Sequence, residues 1–201
     1  MKIPRAVSRH VDSTLRPRLI EHVNAREWGR AFLLPASTRR VSFFIDLAVA
    51  GIIPRDEWAR LLPDAISTGD LLRYDRDRLL VILTALRASD ETVFDGDAAR
   101  AAYVMLPNPV TIYRGTVVAE AACSEYGVSW TLDPEQARWF ATAPHRCRNW
   151  ESPPLLLSAT VARENICGLL FGRQEREVLV CPHALQNIRL EMVLDPIRGC
   201  G

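Results

Sequence analysis

The stretch Pro107-Asn108-Pro109-Val110-Thr111-Ile112-Tyr113-Arg114-Gly115 divides this chain into two halves of different character. Two prolines within three residues break a helix, because each fixes its own φ and disfavours a helical conformation in the residue before it. The residues from Val110 to Arg114 are then β-branched or aromatic, with a cation at the end, which suits a strand.

Upstream of this break the apolar residues recur at helical spacing. From Ser37 to Ala50 the set Val41, Phe44, Ile45, Ala48 and Val49 predicts a helix that Gly51 stops. Pro54, Asp56 and Glu57 suit the first turn of a second helix through Trp58, Leu61 and Leu62. A third is predicted over 75–88 and a fourth over 97–105, the latter with alanines that allow close packing. Residues 1–36 show no such pattern and are expected to be an irregular arm, with Asp12-Ser13 able to cap a short helix near Pro17.

Downstream, Val128-Ser129-Trp130-Thr131 predicts a short strand, and Asp133-Pro134-Glu135 starts a helix through Ala137, Phe140 and Ala141. Residues 145–154 read as an irregular loop, and 155–161, 176–181 and 188–193 as further strands. Helices first and a mostly antiparallel sheet after make an α+β pattern. The expected division is a helical lobe over 1–106 and a β-rich core over 107–201, together forming one compact unit.

The bulk composition narrows the function classes. With 201 residues the chain can bury a substantial core, and 25 basic against 24 acidic residues leave a net charge of +1, so no strong polyanion binding is implied. Lys2 is the sole lysine, which reflects a GC-rich coding bias more simply than any function. No apolar run reaches the ~18 residues that cross a bilayer, and the N-terminus lacks a signal-peptide core, so no membrane role and a cytoplasmic location are expected. Cys123, Cys147, Cys167, Cys181 and Cys200 are odd in number and form no CxxC pair. His145, Cys147, Cys181 and His183 could supply nitrogen and sulfur ligands, but their spacing matches no common zinc pattern and no metal is expected.

Three elements in the second half carry the chemistry: Tyr113-Arg114-Gly115, Ser129-Trp130-Thr131 and Glu175-Arg176-Glu177. Arg114 can present its planar fork to a diphosphate, and Gly115 after it allows a ligand or another strand to come close. Ser129 and Thr131 are two apart and share one face of a strand, where their hydroxyls can hold a carboxamide or orient a glutamate. Glu175 and Glu177 enter the apolar run Val178-Leu179-Val180, where a carboxylate is costly unless something polar receives it. Taken singly, an ion pair, a strand threonine and a solvated charge run explain each element as well. Their order and strand placement give the set its weight.

In that order the elements resemble the arginine–serine–glutamate branch of the ADP-ribosyltransferase superfamily, over roughly residues 110–181. The resemblance implies a two-sheet, mostly antiparallel core preceded by a helical lobe, and NAD as a substrate. It implies that Arg114, Gly115, Ser129, Trp130, Thr131 and Phe140 bind NAD, with Trp139 and Trp150 as other aromatic candidates and Arg146 and Arg148 near the phosphates. Glu177 is then the catalytic glutamate and Glu175 the acceptor-side carboxylate. Residues 166–174 form an acceptor-recognition loop exposing Phe171, Gly172 and Arg173. The tryptophan at the centre of the hydroxyl motif departs from the family's usual pattern.

The expected activity is an NAD-dependent mono-ADP-ribosyltransferase that modifies a protein arginine or a nucleic acid, such as a toxin of a toxin–antitoxin or phage-defence system, or a phage-encoded modifier. A neutralising antitoxin protein is one partner this implies. The alternatives are an NAD glycohydrolase of the same fold and a non-enzymatic binding module in which the three elements form an ion-pair cluster.

Overall fold

A computed structural model of the chain describes residues 3–67, 75–123, 126–142, 152–172 and 175–193. Its contacts gather into two compact units, Met1–Asp95 and Gly96–Gly201.

The first unit is built of helices: α1 Arg5–Ser8, α2 Arg16–Asn24, α3 Trp28–Phe32, α4 Arg40–Val49, α5 Trp58–Ser67 and α6 Arg76–Ala88, followed by the two-residue strand β1 Val93–Phe94. Every residue of α4 from Val41 to Ala48 is buried, so this helix runs through the middle of the unit instead of lying on it with one apolar face. Two of those residues are polar and need partners. The Ser42 hydroxyl donates to the Asp75 carboxylate at 2.6 Å, and Asp46 pairs with His10 at 2.7 Å and with Arg78. Gly51 ends α4 as expected, at a φ of +66° that favours glycine.

Residues 3–36 are not an irregular arm. They fold as three short helices, and Asp12 accepts the Thr14 backbone N–H at 2.9 Å just ahead of α2, which carries Pro17 in its first turn. Val7, Leu19, Val23, Trp28 and Phe32 are buried. Each helix contributes too few apolar positions for a period to stand out among the arginines.

The second unit begins with α7 Asp97–Met105 and continues with β2 Val110–Val117, α8 Val118–Ala122, β3 Ser129–Thr131, α9 Pro134–Thr142, β4 Pro154–Val161, β5 Ile166–Leu170, β6 Glu177–Val180 and β7 Gln186–Met192. Its strands stand in the order β5-β6-β3-β2-β4-β7, and each of these neighbours pairs antiparallel. The protein is therefore α+β. The strands join in one sheet where two were expected: β2 pairs with β4 over its whole length, and β3 links β2 to β6, so the hydrogen bonding is continuous.

Residues 166–170 were expected in a loop and form β5 instead. All five are buried and four of them pair with β6, the register shifting at Cys167, which leaves only 171–176 as the connection. The run Ile-Cys-Gly-Leu-Leu is apolar enough to occupy a fully buried strand despite its glycine.

Register fixes which residues share a face. Tyr113 stands opposite Thr131 and Thr131 opposite Glu177. Side chains alternate along a strand, so Tyr113, Gly115, Ser129, Thr131 and Glu177 lie on one face, and Arg114, Trp130 and Val178 on the other.

Candidate functional site

The hydroxyl strand β3 is three residues long and sits between β2 and β6. Its two hydroxyls both serve the segment that carries the paired glutamates. Ser129 Oγ donates to Glu177 Oε1 at 2.5 Å, a diagonal contact between neighbouring strands. Thr131 is buried; its Oγ1 donates to the Glu175 carbonyl at 2.6 Å and accepts the Asp133 backbone N–H at 3.1 Å. The Leu132 N–H adds a bond to the Arg176 carbonyl at 3.2 Å. One side chain thus ties the start of α9 to the approach of β6, and Asp133 caps α9 by accepting the Glu135 N–H at 2.9 Å.

Glu175 and Glu177 do not share a strand. Glu177 opens β6, while Glu175 lies ahead of it across Arg176, whose φ of +44° is left-handed. An arginine there costs about 1–2 kcal/mol, because its Cβ crowds the following carbonyl. The bonds from Thr131 and Leu132 on either side of that turn hold it in place. Both glutamates are half-buried and Arg176 is exposed.

Arg114 belongs by alternation to the face of Trp130, yet its guanidinium returns to β3, where Nη1 donates to the Ser129 carbonyl at 2.7 Å. It lies flat against Gly127, where a Cβ would come within 2.7 Å of Cζ. Gly127 was not among the expected site residues. Its signal in the sequence is a glycine two residues ahead of the hydroxyl strand, where a side chain would displace the arginine. Trp130 also turns to this glycine, donating from Nε1 to its carbonyl at 2.9 Å. At 2% exposure Trp130 is a core residue on the far side of β3 from the Ser129–Glu177 pair.

Gly115 does mark a close approach, but its neighbour is neither a ligand nor a strand. A Cβ there would stand 2.0 Å from the Ala137 carbonyl oxygen and 2.5 Å from the Ala141 nitrogen. Helix α9 therefore crosses β2 with its backbone against the sheet, over the face that holds Ser129, Thr131 and Glu177. That contact carries Phe140, half-buried, beside Trp139, which is exposed, their ring centroids 5.1 Å apart at 63°.

Of the expected acceptor contacts, Phe171 is half-buried at the end of β5 and Gly172 is exposed. Arg173, Arg146, Arg148, Trp150, His145 and Cys147 lie outside the described residues. Among the described residues no three of His, Cys, Asp and Glu gather as a cation site, and no helix is long and apolar enough to cross a membrane.

The structure thus brings Ser129, Thr131, Glu175 and Glu177 into one hydrogen-bonded group, with Arg114 fixed behind Ser129 through a main-chain carbonyl. A carboxylate gripped by a hydroxyl keeps one orientation, and so placed it can accept from a sugar hydroxyl and oppose positive charge developing on an anomeric carbon. Comparison with protein-family models, with curated proteins and with solved structures finds no match to this chain.

Proposed function

We propose that this protein is an NAD-dependent mono-ADP-ribosyltransferase acting on a macromolecule, in keeping with a toxin or phage-related effector that works in the cytoplasm and is held in check by a neutralising protein. The observation that supports this reading most directly is the Ser129–Glu177 hydrogen bond, which fixes a half-buried carboxylate on β6, with β3 between it and the strand of Arg114.

In this reading Arg114 pairs with the diphosphate, its plane already set by the Ser129 carbonyl and Gly127. The nicotinamide–ribose bond breaks with its electron pair leaving on the nicotinamide nitrogen, and the ribose becomes oxocarbenium-like. Glu177 accepts a hydrogen bond from a ribose hydroxyl and faces that positive charge. Glu175, on the far side of the Arg176 turn, takes the proton of the attacking acceptor, a step a guanidinium acceptor needs because it is otherwise fully protonated. Phe140 is the aromatic assigned to the nicotinamide, and Phe171 with Arg173 meets the acceptor.

The test is incubation with NAD labelled in its ADP-ribose half and a cell lysate, followed by separate nuclease and protease digestion. Label on a macromolecule that one digestion releases is expected and identifies the acceptor class. Free ADP-ribose alone makes the protein a glycohydrolase. Glu177→Gln is expected to stay folded and lose NAD cleavage by about 100-fold or more, and full cleavage by that variant rejects the assignment. Glu175→Ala is expected to lose transfer and keep hydrolysis.

A further inference from the structure

Strand β7 has a strand neighbour, β4, on one side only among the described residues. The Val193 N–H donates to the Pro154 carbonyl, and Leu190 stands opposite Leu157. Hydrogen-bonding direction alternates along an antiparallel strand, so Arg189, Glu191 and Val193 turn their main-chain groups towards β4. Leu190 and Met192 then turn theirs outward, the regular register ending at Arg189. The side chains alternate as well: Leu190 and Met192 project on one face at 59% and 53% exposure, and Arg189 and Glu191 on the other. Beside the two apolar residues lies an open groove of about 330 Å³ lined also by Val118, Ala121, Ala122 and Leu155.

An edge of this kind is a template for another strand, and charged side chains along it govern whether pairing occurs. Here the charges alternate in sign around Leu190. We propose that β7 pairs antiparallel with β7 of a second copy of this chain, with the two-fold axis at Leu190. The charges select that register. An axis at Arg189 or at Glu191 sets two like charges opposite each other, which destabilises a sheet. An axis at Leu190 places Arg189 opposite Glu191 of the second copy, and Glu191 opposite its Arg189. The same register joins the outward main-chain groups of Leu190 to those of its counterpart. It also sets the exposed Leu190 and Met192 of the two copies side by side, so that their grooves adjoin. Arg138 already reaches Glu191 from α9 at 3.3 Å, which holds that carboxylate at the edge.

The interface is small, so the dimer is expected to be reversible, with a dissociation constant of about 1–100 μM. Sedimentation equilibrium of the full chain across that range reads it directly as a species of twice the 22.6 kDa chain mass. Arg189→Glu alone and Glu191→Arg alone each place like charges opposite one another in the homodimer, and each is expected to weaken association by about tenfold or more. Mixing the two variants restores opposite pairs throughout, so the mixture is expected to dimerise where neither component does. Circular dichroism and thermal unfolding confirm that each variant is folded. A wild-type chain that stays monomeric over the whole range overturns the proposal. So does a dimer indifferent to both substitutions, or two folded variants whose mixture fails to associate.

Discussion

Gly115→Ala adds one methyl group to the face of β2 that helix α9 covers. A Cβ at this position stands 2.0 Å from the Ala137 oxygen and 2.5 Å from the Ala141 nitrogen, both main-chain atoms of α9. Ordinary contact needs about 3.4 Å or more, so the helix must retreat by more than about 1 Å along its contact with the strand. Neither atom can turn aside as the end of a flexible side chain would. Gly115 is not among the glycines at positive φ, so the change brings no backbone strain and the cost is packing alone. Overpacking of this kind costs about 1–3 kcal/mol, and the upper part of the range applies because main chain meets methyl. The lower entropy of an unfolded alanine returns about 0.4–1 kcal/mol. A net loss of about 2 kcal/mol lowers the Tm by about 4–8 °C in a chain of this length. Thermal unfolding followed by circular dichroism measures it against the unaltered chain. A Gly115→Ala variant within 1 °C of the unaltered chain would refute the packing of α9 on β2.

The other expectations are smaller in scope. Thr131→Val keeps the shape and removes the hydroxyl, leaving the Glu175 carbonyl and the Asp133 N–H without that partner; a loss of about 1–3 kcal/mol is expected in denaturant unfolding, and an unchanged midpoint contradicts the two bonds. Ser129→Ala removes the hydroxyl that donates to Glu177; on the proposed reading an expected fall in NAD-cleavage kcat of about tenfold, with KM nearly unchanged, separates orientation of Glu177 from substrate binding. In the first unit, burial pushes Asp46 upward, but hydrogen bonds from His10 and Arg78 and the Arg78 charge outweigh it and hold the carboxyl below its usual range. Its stabilisation is therefore complete above the unfolded pKa of about 3.9 and lost as the pH falls through the lower folded value. Asp46→Asn should flatten the acid limb of a stability–pH curve, and an unaltered acid limb rejects that contribution. Burial pushes Asp75 upward against the Ser42 hydrogen bond, so the sign reverses: stability falls as the pH rises from the ordinary carboxylate range through the raised value, and Asp75→Asn should remove that decline.

The parts of the fold that could be read from sequence are those where one local signal decides. The period of Val41, Phe44, Ile45 and Ala48, closed by Gly51, marks α4 because burial and backbone agree there. Pro134 after Asp133 marks the start of α9 because both residues act on adjacent backbone groups. β5 escaped because five apolar residues have no period of their own and the resemblance placed them in the acceptor-recognition loop. The hydroxyl strand's grip on Glu177 followed from residue type, whereas the left-handed Arg176 did not, since arginine has no preference for that conformation and only the surrounding bonds hold it there. Gly115 signalled crowding without naming the neighbour, and Gly127 could be recognised only once the guanidinium lay against it.

The placement of β3 between β2 and β6 bears on how the site comes into being. Ser129 and Glu177 are 48 residues apart, and Thr131 and the Glu175 carbonyl 44, so the group closes only through a long-range pairing. Such contacts are slow to form, because the intervening chain must be ordered before they repay it. A chain emerging during synthesis carries its arginine and hydroxyls well before its carboxylates, and any activity of this site waits for the last quarter of the sequence. The same separation makes the protein suited to division: a fragment ending after α9 and one beginning before β6 each lack half of the group, and only their reassociation restores it.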